Sequence, residues 1–171
     1  MNIAKSVGTI KLGNKATISD PCYEKDVWCS ISFDNVLEGE FECYVKEQKY
    51  GAWGKRVSEM IVVHKDYKNI DIEKEDNYEY CGIVCVDSGT MSITDTAYYN
   101  RTHNNDDFSE EWYNIEICNK LCGNYNIADN QCFISTSGLG DGQYEVYGAF
   151  DSEDRIYAIK VVFLNEEDEE D

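Results

Sequence analysis

Cations are scarce in this chain. Lys and Arg number 15 against 34 Asp and Glu, a formal charge of −19. A protein of that sign is repelled by nucleic-acid backbones, so direct DNA or RNA binding is not expected. Histidine is scarcer still, with only His64 and His103, which leaves few general bases. Pro21 is the single proline and there is no Gly/Ser-rich stretch, so nothing reads as an interdomain linker. No window approaches the roughly 18 apolar residues of a membrane helix. The opening Met1-Asn-Ile-Ala-Lys-Ser-Val-Gly has no apolar run behind a basic start, unlike a secretory signal. The expectation is a soluble cytoplasmic protein with no membrane partner.

What is present reads as one globular domain, 1–165, followed by the acidic tail 166–171. Removing those six acids from −19 leaves −13 for residues 1–165. A hydrophobic content of 42% with 13% aromatics is enough for a packed core. Eight cysteines occur. Without export they are expected to stay reduced, and most lie beside Ile, Val, Phe or Trp, where a thiol packs as a small hydrophobe. Zinc is the sharper alternative, from the pairs Cys81/Cys85 and Cys118/Cys122. Strand positions four apart lie about 13 Å from each other, too far for Cys81 and Cys85 to share an ion, while Cys118 and Cys122 would be neighbours on a helix but supply only two ligands of a tetrahedral site. Core packing is therefore the default.

Periodicity predicts a mainly β (α+β) fold, an antiparallel sandwich or partly closed barrel with one packed helix. Val7–Leu12 and Lys15–Ser19 flank Gly13-Asn14, a hairpin signal. Phe41, Cys43 and Val45 alternate onto one face. Val57–His64 is β-rich, and Cys81–Val86 is apolar enough to predict a central strand paired with Met91–Thr94. Cys132–Thr136 follows, then Gln143–Phe150 and Arg155–Phe163 joined by a polar loop at Asp151–Asp154. The helix is expected from a cap at Ser109 through the stripe Trp112, Ile115, Cys118 and Cys122 to a stop at Gly123. Thr96–Phe108 reads as a loop, and Tyr67–Tyr80 as a loop or irregular excursion.

Three loops place an aspartate at a strand end beside a turn-forming residue: Ser19-Asp20-Pro21-Cys22-Tyr23, Val86-Asp87-Ser88-Gly89 and Gly138-Leu139-Gly140-Asp141-Gly142-Gln143-Tyr144. Together with Gly51-Ala52-Trp53-Gly54-Lys55-Arg56-Val57 and the Val146–Phe163 hairpin, this ordered set resembles an uncharacterised bacterial and phage domain-of-unknown-function family. The resemblance spans residues 19–163. It implies a shared fold and a common site built from Asp20, Asp87 and Asp141, and it transfers no reaction.

Each aspartate also has a plain explanation in turn chemistry, since Asp accepts backbone N–H bonds two residues on. The functional alternative is convergence on Mg²⁺ or Ca²⁺, hard cations that prefer oxygen ligands. The Gly138–Gly142 stretch lies between strands, not before a helix, so it reads as a turn and not a phosphate loop. Arg56 beside Trp53 can hold an anion or stack on a base; the plainer reading is an exposed residue at a strand start. Ser88 or Cys22 with His64 would be the material for nucleophilic catalysis, but no GxSxG elbow is present.

The leading functional expectation is a non-enzymatic intracellular ligand-binding or protein-interaction domain, phage-associated, with an unidentified protein or small ligand as partner. Its ligand-binding residues would be Asp20, Tyr23, Trp53, Arg56, Asp87, Ser88, Asp141 and Tyr144. The competing readings are a metal-dependent hydrolase using Asp20, Asp87 and Asp141, and an acidic inhibitor that imitates nucleic acid toward a basic host protein.

Overall fold

A computed structural model describes residues 3–22, 29–72, 74–102 and 124–165, with backbone only for 100–102. Eleven strands occur among these residues: β1 (Lys5–Leu12), β2 (Ala16–Ser19), β3 (Ile31–Phe33), β4 (Gly39–Lys49), β5 (Lys55–His64), β6 (Glu79–Val86), β7 (Thr90–Asp95), β8 (Tyr125–Ala128), β9 (Cys132–Thr136), β10 (Gly142–Phe150) and β11 (Ile156–Val162). One helix, α1, covers Thr96–Thr102. The strands form two antiparallel sheets, ordered β1-β4-β5-β11-β10-β6 and β3-β2-β7-β9-β8. Of the two architectures left open by the periodicity, the sandwich is the one found; neither sheet closes into a barrel.

The alternation read in β4 holds. Phe41, Cys43 and Val45 are fully buried, and they face the same core as Ile10, Met60, Val62, Ile159 and Phe133. Sheet pairing departs from the expectation at two turns. Gly13-Asn14 joins no hairpin, because β1 pairs with β4 while β2 pairs with β3 and β7. The 87–89 turn likewise passes from β6 in one sheet to β7 in the other. A turn signal specifies a reversal of the chain but not the hydrogen-bond partner of the strand that follows.

The Cys81–Val86 run is an edge strand, not a central one, and Ile83 is 42% exposed. Its apolar character is used instead by Val84 and Val86, which reach the core, and by Cys85. Cys85 is joined to Cys29 by a disulfide with a Cα–Cα separation of 5.3 Å, within the range a bridge needs. This corrects the expectation that every thiol is reduced. The partners lie 56 residues apart in sequence, so no local spacing announces them. Cys43 and Cys81 form no disulfide among the described residues.

The outer face of the larger sheet carries a second apolar cluster of Ile61, Val63, Ala149, Tyr157 and Ala158. The 65–78 excursion roofs it, with Tyr67 stacked on Tyr157 at 4.0 Å between ring centroids. The helix α1 falls where a loop was expected. Asp95 caps it, Oδ2 accepting from Tyr98 N at 3.3 Å, as an N-cap carboxylate does. The helix expected at 109–122 lies outside the described residues, as do Tyr23, His103 and the tail.

Candidate functional site

Strand directions divide the sandwich into two ends. At one end β2, β6 and β9 finish, β7 and β10 begin, and the β4–β5 hairpin turns over. All three aspartate loops and Trp53 and Arg56 belong to this end.

Asp20 organises it. The side chain is only 2% exposed. Its Oδ2 accepts from Asp87 N at 2.9 Å and Ser88 N at 2.8 Å. Its Oδ1 accepts from Ser88 Oγ at 2.6 Å and from Cys22 N at 3.0 Å. A buried carboxylate needs such donors to offset its lost hydration. Here they tie the end of β2 to the turn between β6 and β7. Ser88 Oγ also meets Thr90 Oγ1 at 2.8 Å, so that hydroxyl is committed to the turn.

The 87–89 turn is in turn fastened to the 137–141 turn. Ser137 N donates to Gly89 O at 3.0 Å. A Cβ built on Gly89, whose φ is +78°, would stand 4.0 Å from Gly140 Cα. Tyr144 closes the second turn from below, its hydroxyl donating to Gly140 O at 2.6 Å and Ser137 O at 3.0 Å. Burial pushes the Tyr144 phenol above its ordinary value, and its ring lies edge-on to Phe163. Tyr144 and Ser88 therefore hold the loops; Asp87 and Asp141 are exposed on them.

The structure thus gathers Asp20, Asp87 and Ser88 directly, and Asp141 on the adjoining turn. It does not make a metal set of them. Among the described residues no group of three or more His, Cys, Asp or Glu side chains is placed to hold a metal ion. Asp20 gives both its oxygens to N–H and O–H donors, so the expected Mg²⁺ or Ca²⁺ site finds no support in the geometry. Catalytic material is no better placed. His64 is 3% exposed at the opposite end of the sandwich. Its Nδ1 accepts from Asp66 N at 3.1 Å, so Nε2 is the nitrogen that donates to Glu38 O at 2.9 Å. That leaves His64 unable to serve Ser88 or Cys22 as a base.

Trp53 and Arg56 stand at the same end but on the β4–β5 hairpin, three strand positions from β6, or about 14 Å across the sheet. They form a separate patch, not a wall of the aspartate loops. Trp53 is 61% exposed, with the Arg56 guanidinium 5.9 Å from its ring centroid. The flanking Lys49 and Lys55 are exposed and directly opposite each other in the strand register. Sequence reasoning stopped at Trp53 and Arg56. Lys49 was legible too, because residues 46–56 carry four cations and one carboxylate in a strongly acidic chain.

At the other end a mixed-charge cleft of about 870 Å³ is lined by Lys11, Lys15, Lys65, Glu38, Glu40 and Asp95 among others. No helix among the described residues is long and apolar enough to cross a membrane. No protein-family model, curated protein or solved structure matches this chain.

Proposed function

We propose that the chain is a non-enzymatic interaction domain whose loop end is its recognition face, with Trp53 and Arg56 as the anchor and the exposed Asp87, Leu139 and Asp141 as neighbouring contacts. One observation carries this reading: a tryptophan left 61% exposed beside an arginine on a hairpin tip, the residue types that anchor protein contacts most often. The clasped aspartate loops support it, because a face held by internal hydrogen bonds loses little freedom on binding. The motif resemblance adds the phage-associated setting to the proposal.

Selection of displayed peptides against the full chain tests it without a known partner. The expected result is an enriched sequence class whose binding is lost in Trp53→Ala and weakened at least tenfold in Arg56→Gln. No enrichment, or enrichment indifferent to both substitutions, contradicts the reading. The charge of −19 supports a second reading, an acidic surface engaging a basic protein. Under it, selection yields Lys/Arg-rich peptides whose binding ignores Trp53 and collapses in salt.

A further inference from the structure

We propose that the cleft at the Asp95 end of the sandwich is a binding site for a sugar phosphate, with Lys11, Lys15 and Lys65 on the phosphate and Glu38 and Glu40 on the hydroxyls. This site lies at the opposite end from Trp53 and Arg56 and owes nothing to the interaction reading. The cleft holds about 870 Å³, within the roughly 300–1,000 Å³ of small-molecule sites. The chain has 15 cations against 34 acids, yet three lysines from separate positions line this one concavity.

Strand register sets their spacing. Lys11 is the partner of Glu40 across β1 and β4. Phe41 is the partner of His64 across β4 and β5, so Lys65, one residue on, comes level with Glu40. Lys11 and Lys65 therefore flank Glu40, about 10 Å apart in backbone position at the usual strand spacing. The backbone beneath these groups is fixed. Lys11 N donates to Asn130 O at 2.7 Å, and Lys15 O accepts from Thr96 N at 3.1 Å. Glu38 O accepts from His64 Nε2 at 2.9 Å. Walls held this way lose little freedom when a ligand enters. Asp95 also lines the cleft, but it is buried and its two oxygens accept from Gly13 N and Tyr98 N. Glu38 and Glu40 are the exposed carboxylates of the lining.

These side chains select a ligand by complement. A lysine ammonium only donates hydrogen bonds, and an ionised glutamate only accepts them. The occupant must bring an anionic acceptor for the lysines and hydrogen-bond donors for the glutamates. A ligand ammonium at Glu40 would face the flanking lysines, whereas a hydroxyl carries no charge to be repelled. Among the described residues lining the cleft none is aromatic, and Leu12 and Ala97 are the apolar side chains. A nucleobase or an apolar chain would find little wall to pack on. A sugar phosphate meets each condition.

Titration of the isotope-labelled full chain with glucose 6-phosphate, followed by amide chemical shifts, tests this. Saturable shifts are expected at Gly13, Gly39 and Thr96, and not at Gly54 or Gly140 at the other end. Apparent affinity should fall at least fivefold in Lys11→Gln and in Lys65→Gln, and stay unchanged in Lys49→Gln; the amide spectrum of each variant reports that it is folded. Glu40→Gln should reduce the preference for glucose 6-phosphate over inorganic phosphate at least fivefold. No saturable shift at millimolar ligand, shifts centred on the other end, or affinity indifferent to Lys11 and Lys65 each overturn the proposal. So does inorganic phosphate binding as tightly as glucose 6-phosphate, which marks an adventitious ion only, or adenosine monophosphate binding more tightly than either. Peptide selection reads the opposite end, so the two readings fail separately.

Discussion

The two ends of the sandwich each hold a buried aspartate, and the two do similar work. Asp20 accepts four hydrogen bonds and joins β2 to a turn 67 and 68 residues away. Asp95 accepts from Gly13 N at 2.9 Å, 82 residues away, and caps α1 through Tyr98 N. Each accepts from backbone N–H groups of a turn where the chain crosses between sheets, Asp87 and Ser88 for Asp20 and Gly13 for Asp95, where no strand ladder is available to satisfy the backbone. The difference lies in what surrounds them. At the Asp95 end the buried His64 is also consumed by backbone partners. Around Asp20 the end presents Trp53, Leu139, Asp87 and Asp141 at exposed positions. The buried carboxylates Asp20 and Asp95 are structural, and the proposed interaction reading rests on side chains that stay outside.

The comparison can be broken most forcefully through covalent and buried ties. The Cys29–Cys85 bridge closes a loop of 56 residues next to the Asp20 turn; in the chain-entropy model such a loop contributes about 4 kcal/mol. Cys29→Ser should lower urea stability by up to that amount, with no comparable tie to lose at the Asp95 end. Asp20→Ala comes next. It strands three backbone N–H donors and the Ser88 hydroxyl, and should cost about 3–4 kcal/mol. Asp95→Ala, with two donors stranded, should cost about 1–2 kcal/mol in the same assay. Equal losses would remove the distinction between the ends.

How far the sequence announced this arrangement depends on the length scale. Strand identity was legible wherever one face is buried, as at Phe41, Cys43 and Val45, because the alternation is local. The loop aspartates were legible as turn residues. Their hydrogen-bond donors were not, since Asp20 finds its own at Asp87 and Ser88, and nothing near Asp20 encodes them. The same non-locality hid the Cys29–Cys85 bridge and made an apolar edge strand look central. Tyr144 was picked for a ligand site on its motif, yet the fold spends its hydroxyl on Gly140 and Ser137.

Smaller effects sharpen the picture. Tyr144→Phe should cost about 1 kcal/mol at pH 8 through its lost hydroxyl bonds. Because burial raises the folded-state phenol pKa, the unfolded chain releases this proton first. The stabilisation is full below about pH 10, the ordinary phenol value, and is lost as pH rises beyond it. The gap between wild type and Tyr144→Phe should therefore shrink between pH 8 and pH 11 in chemical denaturation. Smallest of all, Asp87→Asn and Asp141→Asn should stay within about 0.5 kcal/mol of wild type, and Mg²⁺, Ca²⁺ or EDTA should leave the melting midpoint in place. A cation-induced shift abolished by Asp87→Asn would restore the metal reading.

Native-state hydrogen exchange at the Asp87 and Ser88 amides tests the clasp directly. With Asp20 holding them, both amides should exchange with core-like protection in the wild-type chain, and at least tenfold faster in Asp20→Asn relative to core amides of β5. Exchange at free-peptide rates in the wild type, or protection indifferent to Asp20→Asn, would contradict the claim that a buried carboxylate holds the aspartate loops together.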